Sequence, residues 1–458
     1  MELKALLILY ILGLFIIGKA AGKSKTIEEL NLANGEIGWV SSAFAIAATW
    51  IWAPALFVAS ERAYVNGLLG VFWFIVPNIL SLIVFGILSK NAFNHYNGEH
   101  TLSELMGNIY KSRRIKNIYN FELIFLAACS TGVQLLAGGK VIEQLTGFNF
   151  GLIVLLLAVV TLLYTYNGGM KANVYTDVFQ MVLMLIAVTV GLVFLKGKAE
   201  LNLGGFNNLD ISFFSKQNWE YFIAFGLTTT IGLLSGPIGD QSYWQIAFAM
   251  DKKKVARTFV VASIIFAIIP ICMAIIGFMA AGQGYIAIDN SMVGLEFIRN
   301  NTNELIVALF IVCVISGLSS TLDSNMCAVG SIFSTYKEER GTIKDAQRGI
   351  IITTIFGALI ANIPNLDIFW LFLFYGVLRS SVAVPTVFTF LSKRPLKESS
   401  IYNGIIGAFI IGIPIYTVGA IFGIQPLSFI GTLLTVLIPL TSIIGGNYAR
   451  KKEIDKKQ

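Results

Sequence analysis

GWVSSAFAIAATWIWAPALFVAS, residues 38–60, is long and apolar enough to cross a bilayer, yet it carries Pro54 in its interior. A helix needs roughly 20 residues to cover ~30 Å of hydrocarbon. Proline removes a backbone donor and collides with the preceding turn, so Ala53-Pro54-Ala55 interrupts that helix. A second block, Tyr221 to Gly239, is interrupted at Ser235-Gly236-Pro237-Ile238-Gly239. Either break alone reads as a proline kink, which membrane helices tolerate. Two breaks at corresponding places in two halves are the best sequence pointer to a binding centre between repeats.

Composition agrees with a membrane bundle. Of 458 residues, 56% are hydrophobic and 13% charged, against about 25% charged in a soluble domain. The apolar runs are continuous, which excludes the alternating pattern of a membrane β-barrel. A formal charge of +7 could suggest a nucleic-acid partner, but the charges sit in short loops between apolar blocks, so none is expected. Cys129, Cys272, Cys313 and Cys327 all lie inside apolar blocks without metal-ligand spacing. His95 and His100 share one polar loop and read as solvated surface residues.

The blocks predict thirteen spans in a single transmembrane domain over residues 1–458. They run from Leu3 to Gly18, Gly38 to Ser60, Gly67 to Ser89, Tyr119 to Gly139, Gly151 to Tyr166 and Ala172 to Leu195. After the interrupted seventh, Tyr221 to Gly239, come Val255 to Ala281, Glu304 to Phe333, Gly349 to Ile363 and Ile368 to Leu391. Tyr402 to Phe422 and Leu427 to Ile444 complete the set. The breaks are five spans apart, which predicts inverted repeats over about 38–195 and 220–391, with helices 3–18, 402–422 and 427–444 peripheral. One set of alternate loops holds Lys19, Lys23, Lys25, Lys111, Arg113, Arg114, Lys116, Lys252, Lys253, Lys254 and Arg257. It also holds Lys337, Arg340, Lys344, Arg348, Lys393, Arg394 and Lys397, and the tail adds Arg450, Lys451, Lys452, Lys456 and Lys457. Opposite loops carry scattered cations such as Arg62, Lys140 and Lys216. The positive-inside rule therefore puts the N-terminus outside and the C-terminus in the cytoplasm. By the same rule, the lysines after the first block favour an anchor over a cleaved signal peptide.

Inside the ninth span, Gly317, Ser320, Thr321 and Ser324 stand at i, i+3, i+4 and i+7 and share a helical face. That face offers close backbone approach and neutral oxygen donors suited to sodium, although such residues also pack membrane helices. Asp177 and Asp323 lie in the sixth and ninth spans; an ionised group at the bilayer centre costs at least ~2.5 kcal/mol, which marks them as functional candidates unless they sit at the interface. Arg379 is the basic residue deepest in an apolar block, placed to bind an anionic group or to pair with a buried carboxylate.

Asn167-Gly168-Gly169-Met170-Lys171-Ala172-Asn173-Val174-Tyr175-Thr176-Asp177-Val178-Phe179-Gln180 and Gly317 through Ser324 resemble the corresponding segments of the sodium:solute symporter family. Asp240-Gln241-Ser242-Tyr243-Trp244-Gln245 and, more weakly, Ser381-Val382-Ala383-Val384-Pro385 look like that family's urea branch. The resemblance runs from the second span to the eleventh. It implies an all-α membrane fold of the leucine-transporter type with one extra helix in front, and a sodium site between the broken second span and the ninth. That site would take backbone carbonyls of Ala48, Ile51 and Gly317 and the hydroxyls of Ser320 and Thr321. Asp177 would line the sodium exit path or, with Asp323 and Ser324, form a second cation site; Asp323 stands where a serine is common. The proline branch has an aspartate where this chain has Trp50, and Ala48-Thr49-Trp50 is similar to the choline branch. Trp52, Phe72 and Trp73 are similar to the urea branch, so the solute stays open.

The expectation is a plasma-membrane symporter that imports a small polar organic solute with Na+, with Trp50, Trp52, Trp73, Gln134, Thr229, Ser235 and Arg379 as candidate solute contacts. Aromatic faces suit cations and planar groups alike. Proton coupling through Asp177 and Asp323 is the alternative within this class, and a solute sensor acting through a partner protein is the alternative outside it. An enzyme would need a nucleophile–base or metal constellation at membrane depth, and the sequence offers none.

Overall fold

The computed structural model describes residues 2–195, 200–207, 214–337, 339–364, 366, 368–392 and 396–455. Lys393, Arg394, Lys456 and Lys457, and the side chains of Arg450, Lys451 and Lys452, lie outside what is described. The regular elements are helices: α1 Glu2–Ala21, α2 Ile27–Leu32, α3 Trp39–Trp50, α4 Ala53–Ala92, α5 Leu102–Tyr110, α6 Arg113–Thr146 and α7 Phe150–Leu195. Then follow α8 Lys216–Tyr221, α9 Leu227–Leu234, α10 Gln241–Phe248, α11 Val255–Gly282, α12 Val293–Asn301 and α13 Glu304–Thr335. The last are α14 Ile343–Ala361, α15 Ile368–Leu391, α16 Glu398–Gly407, α17 Ile413–Ile421 and α18 Gln425–Asp455. π-turns at Phe222–Gly226 and Ala408–Gly412 join α8 to α9 and α16 to α17.

Among the described residues, eight helical stretches are long and apolar enough to cross a membrane. Two of these, α4 with 40 residues and α7 with 46, would run far beyond the bilayer if straight. They bend at Gly67 (φ 64°) and Gly169 (φ 53°). Left-handed backbone suits glycine because it has no Cβ. A Cβ would also strike a neighbouring carbonyl, Leu203 O at 2.4 Å or Leu30 O at 2.3 Å. The sequence reading placed separate spans on either side of these points, and a non-helical residue marks the kink between two helical arms at each.

The central post is α13, whose most apolar window is 83% buried, against 28% for α18 at the periphery. Small residues let the helices around it approach closely. Gly277 of α11 meets the Ser60 carbonyl of α4, and Gly357 of α14 meets Thr131 of α6. The outer belt carries exposed Ile8, Leu155, Leu156, Val193, Ile264, Leu359 and Ile410, as lipid contact requires. On the inner side, α1 buries Tyr10 and Leu14 and receives a hydrogen bond from Gln180 to the Tyr10 hydroxyl (3.1 Å).

Several of the basic loops gather at one end. Lys116 donates to the Lys337 carbonyl (3.2 Å), Ser112 to Glu398 (2.5 Å), and Arg114 lies over the Tyr402 ring. Arg340 bonds Glu28 (2.9 Å), His100 and the Gly98 carbonyl. One sequence expectation fails here. His95 is exposed, but His100 is completely buried. Its Nδ1 accepts from the Asn31 amide (3.0 Å) and its Nε2 meets Glu28 (2.5 Å). Its partners come from chain positions far from its own loop, so loop polarity gave no sign of them.

Candidate functional site

The first break falls upstream of the proline. Helix α3 ends at Trp50, Ile51 and Trp52 are unwound, and Pro54 stands in the opening turn of α4. Proline is favoured at that position, since its fixed φ suits a helix start and no donor is needed there. Ala53 N–H, freed by the break, donates to Gln134 Oε1 on α6 (2.8 Å). The second break leaves residues 235–240 non-helical between α9 and α10. Gly236 packs on the Trp50 ring, so the two breaks touch.

Asp240, the N-cap of α10, accepts from Ser242 N–H (3.0 Å), the Tyr375 hydroxyl (2.8 Å) and Arg379 Nη2 (2.7 Å). The Arg379 guanidinium lies 3.6 Å from the Tyr375 ring centroid, 5.4 Å from that of Trp52 and 5.5 Å from that of Trp50. The ion pair is buried on both sides, as an arginine at this depth requires. Three donors here point at no partner among the described residues: Arg379 Nε and Nη1 and Trp52 Nε1. The Thr229 hydroxyl is equally unbonded. A small cavity lies beside them, lined by Trp52, Thr229, Phe372 and Arg379 and floored where Gly232 meets Gly376.

The structure thus brings Trp50, Trp52, Thr229 and Arg379 together. Ser235 is buried at the second break, and Gln134 caps the first. Trp73 stands apart, packed on Phe222 (4.7 Å between centroids) and Gly226.

On the other side of α3, the α13 face meets the released carbonyls. Gly317 faces Ile51 O so closely that a Cβ would come within 2.7 Å. The Thr321 hydroxyl donates to Thr49 O (3.0 Å) and lies 3.3 Å from Gly317 O. Ala48 O accepts Ile51 N–H (3.0 Å). Ser320, adjacent to Thr321, turns the other way and donates to Asp177 Oδ1 (2.5 Å). Asp177 and Asp323 are both buried. Asp323 accepts from Tyr164 (2.8 Å), Asn173 (2.8 Å) and Thr176 (3.3 Å), while Ser324 pairs with the Thr49 hydroxyl (2.9 Å). The sequence reading named neither Asp240 nor Asn173, Tyr164 and Tyr375 as site residues. Asp240 and Asn173 were visible as polar residues inside the quoted motifs; the tyrosines blend into an aromatic-rich bundle.

Apolar helices of membrane length thus surround two touching breaks, a buried ion pair and two buried carboxylates. The profile of the sodium:solute symporter family matches residues 31–407, and the chain belongs to that family. A sodium/pantothenate symporter of Haemophilus influenzae is 22% identical, covering 95% of this chain and 93% of its own length. The urea-proton symporter DUR3 of rice is 22% identical over 80% of this chain, but the match takes in only 57% of that longer protein. A probable urea active transporter of Schizosaccharomyces pombe is likewise matched over 63% of its length. In three dimensions the chain is similar to a Na+-coupled sialic acid symporter (TM-score 0.75, 16% identity, 96% of this chain and 98% of the other). It is also similar to a nucleobase-cation-symport-1 transporter bound to bromovinylhydantoin (TM-score 0.60, 15% identity, 92% and 95%). At such identities the likeness speaks for the fold.

Proposed function

We propose that the chain is a sodium-coupled symporter that carries a small polar solute inward by alternating access. The observation that carries this reading is the meeting of the Thr321–Gly317 face with the Thr49 and Ile51 carbonyls of the broken helix. Na+ entering there draws on the membrane potential, about 2.3 kcal/mol per charge per 100 mV. Ala48 completes the proposed donor set, Ser320 joining it only by turning from Asp177, and Asp177, with Asp323 and Ser324, forms the proposed exit path or second cation site. Counting each bent helix as two spans, and adding α1, the broken α9–α10 pair and α14, supports thirteen crossings with inverted repeats. The gathering of basic loops at one end supports a plasma-membrane orientation with that end cytoplasmic.

The solute reading follows from the unbonded donors. Buried N–H groups without partners are costly, so Arg379 Nε and Nη1 and Trp52 Nε1 call for acceptor oxygens. The faces of Trp50 and Trp52 already carry a guanidinium, which disfavours a quaternary ammonium there. The solute class proposed is a small carbonyl- or carboxylate-bearing molecule.

Uptake into proteoliposomes tests both parts. Replacing sodium by potassium should abolish accumulation, and Thr321→Ala should raise the sodium concentration for half-maximal uptake at least tenfold while Thr321→Ser holds it near wild type. Urea and small carboxylates should be taken up and choline refused. Unchanged sodium dependence in Thr321→Ala would sink the ion site; preferential choline uptake would sink the solute class. Proton coupling is a second reading, favoured by the buried Asp177–Ser320 and Asp323–Tyr164 contacts. Accumulation driven by a pH gradient in potassium medium would support it instead.

A further inference from the structure

Glu122 is completely buried in α6, and among the described residues neither of its carboxyl oxygens has a partner in good hydrogen-bond geometry, the Ser381 hydroxyl being the one polar group that reaches it. It lies nine residues beyond Arg113, the first residue of α6, which is about 14 Å along the axis at 1.5 Å per residue. That depth is inside the apolar part of the bundle. A polar seam between α6 and α15 runs to it from the basic end: Tyr110 of the preceding α5 bonds Thr389 (2.8 Å), and Tyr119 bonds Thr386 (2.9 Å). Next along α15 comes Ser381, the polar neighbour of Glu122, whose hydroxyl donates to the Leu378 carbonyl (2.8 Å). Two residues before Ser381 stands Arg379 of the central cluster.

No charged side chain among the described residues is set against Glu122. On α15, Arg379 is held by Asp240; at the start of α6, Arg114 lies over Tyr402 of α16 and Lys116 bonds the Lys337 carbonyl. Glu398 of α16 accepts from Ser112, Asp323 of α13 is bonded to α7, and Asp345 and Arg348 of α14 pair with each other. Glu104 of α5 bonds His100 N–H, and the nearest titratable groups on the seam are Tyr119 and Tyr110. Removing an ionised carboxylate from water with no counter-ion, and with only the Ser381 hydroxyl beside it, costs far more than taking up a proton.

We propose that Glu122 is a proton-binding site of the transport cycle: it holds a proton while the α6–α15 seam is closed and releases it toward the basic end when the seam opens and hydrates. The step is a proton transfer between the Glu122 carboxyl and water, with no other bond made or broken. The site is separate from the sodium set on α3 and α13, so sodium coupling can hold or fail without it.

The test is infrared difference spectroscopy on the full chain in liposomes, titrated with pH in potassium medium. Wild type should show the carbonyl stretch of a protonated acid at neutral pH, and Glu122→Gln should lack that band. Glu122→Asp should shift it, and Asp177→Asn should leave it in place. With any transported solute, the dependence of uptake on pH inside the vesicle should flatten in Glu122→Gln, whereas a purely structural role would lower uptake at every pH alike. A wild-type spectrum with the same protonated-acid bands as Glu122→Gln would overturn the proposal. If Glu122→Gln does not fold, a wild-type band that Glu122→Asp fails to move overturns it equally.

Discussion

Arg379 is bonded through Nη2 to Asp240, while Nε and Nη1 have no partner among the described residues. Removing one member of a buried pair leaves an uncompensated charge, which typically costs about 3–5 kcal/mol. Asp240→Asn should therefore destabilise the folded chain by that order, seen as a lowered thermal midpoint in detergent. Asp240→Asn combined with Arg379→Gln should recover much of the loss. A double variant as unstable as the sum of the singles would show that the pair contributes nothing as a pair. The arginine was legible in the sequence because a cation inside an apolar block needs an explanation. Its partner was not, because the two residues are 139 positions apart and meet only when α10 and α15 pack. The same distinction separates Ser320 from Thr321. Adjacent hydroxyls on one face look equivalent, yet one reaches Asp177 on α7 and the other the Thr49 carbonyl.

Helix breaks are more legible than the contacts made across them. Pro54 and Gly236-Pro237 announced both interruptions, but Pro54 belongs to the helix that follows, so the unwound residues are Ile51 and Trp52. The short α2 was not foreseen, since six residues at the edge of an apolar block give no usable period. It nonetheless carries Glu28 and Asn31, which bind the ring of His100 beside Arg340. Burial, then the charge of Arg340, lowers the affinity of His100 for a proton. Nδ1 accepts from the Asn31 amide, so a proton there would also oppose a donor. A depressed histidine adds stability that is fully present above its unfolded value, about pH 6.5, and is lost as pH falls through the depressed one. Glu104 is displaced upward by burial, which acts in the opposite sense over a more acidic range. Acidification from about pH 8 to about pH 5 should therefore loosen this end. Hydrogen exchange in residues 94–101, taken relative to its intrinsic rate at each pH, should rise in wild type, and the step should shrink in His100→Gln. Exchange that stays flat with pH in wild type would remove the histidine from the latch.

Across the whole molecule, α10 links this latch to the centre. Gln241 bonds the backbone on both sides of the latch loop, at Leu102 N–H (2.9 Å) and the His100 carbonyl (3.1 Å), and Gln245 bonds the Asn31 carbonyl of α2 (2.8 Å). Immediately before Gln241, as the N-cap of α10, stands Asp240. Between α10 and the proposed sodium set lies a cavity lined by Thr49, Asn173, Ser242 and Ser324, and the Ser242 hydroxyl there has no partner. A ligand shifts a conformational equilibrium only by its differential affinity for the two states. Sodium held by carbonyls of α3 and hydroxyls of α13 binds best when those helices are together, so it should keep the basic end shut. Ser242→Cys is a reporter for that motion, since its position is buried while the end is closed. In sealed vesicles with the basic loops facing the reagent, sodium should slow modification of this cysteine severalfold. A tenfold change in the open fraction corresponds to about 1.4 kcal/mol of preference. Thr321→Ala in the same background should erase the sodium effect and leave the sodium-free rate unchanged. Equal rates with and without sodium in the Ser242→Cys protein would mean that the ion does not select this closed arrangement. A sodium effect that survives Thr321→Ala would place the coupling elsewhere, with the Asp177–Ser320 pair the next residues to vary.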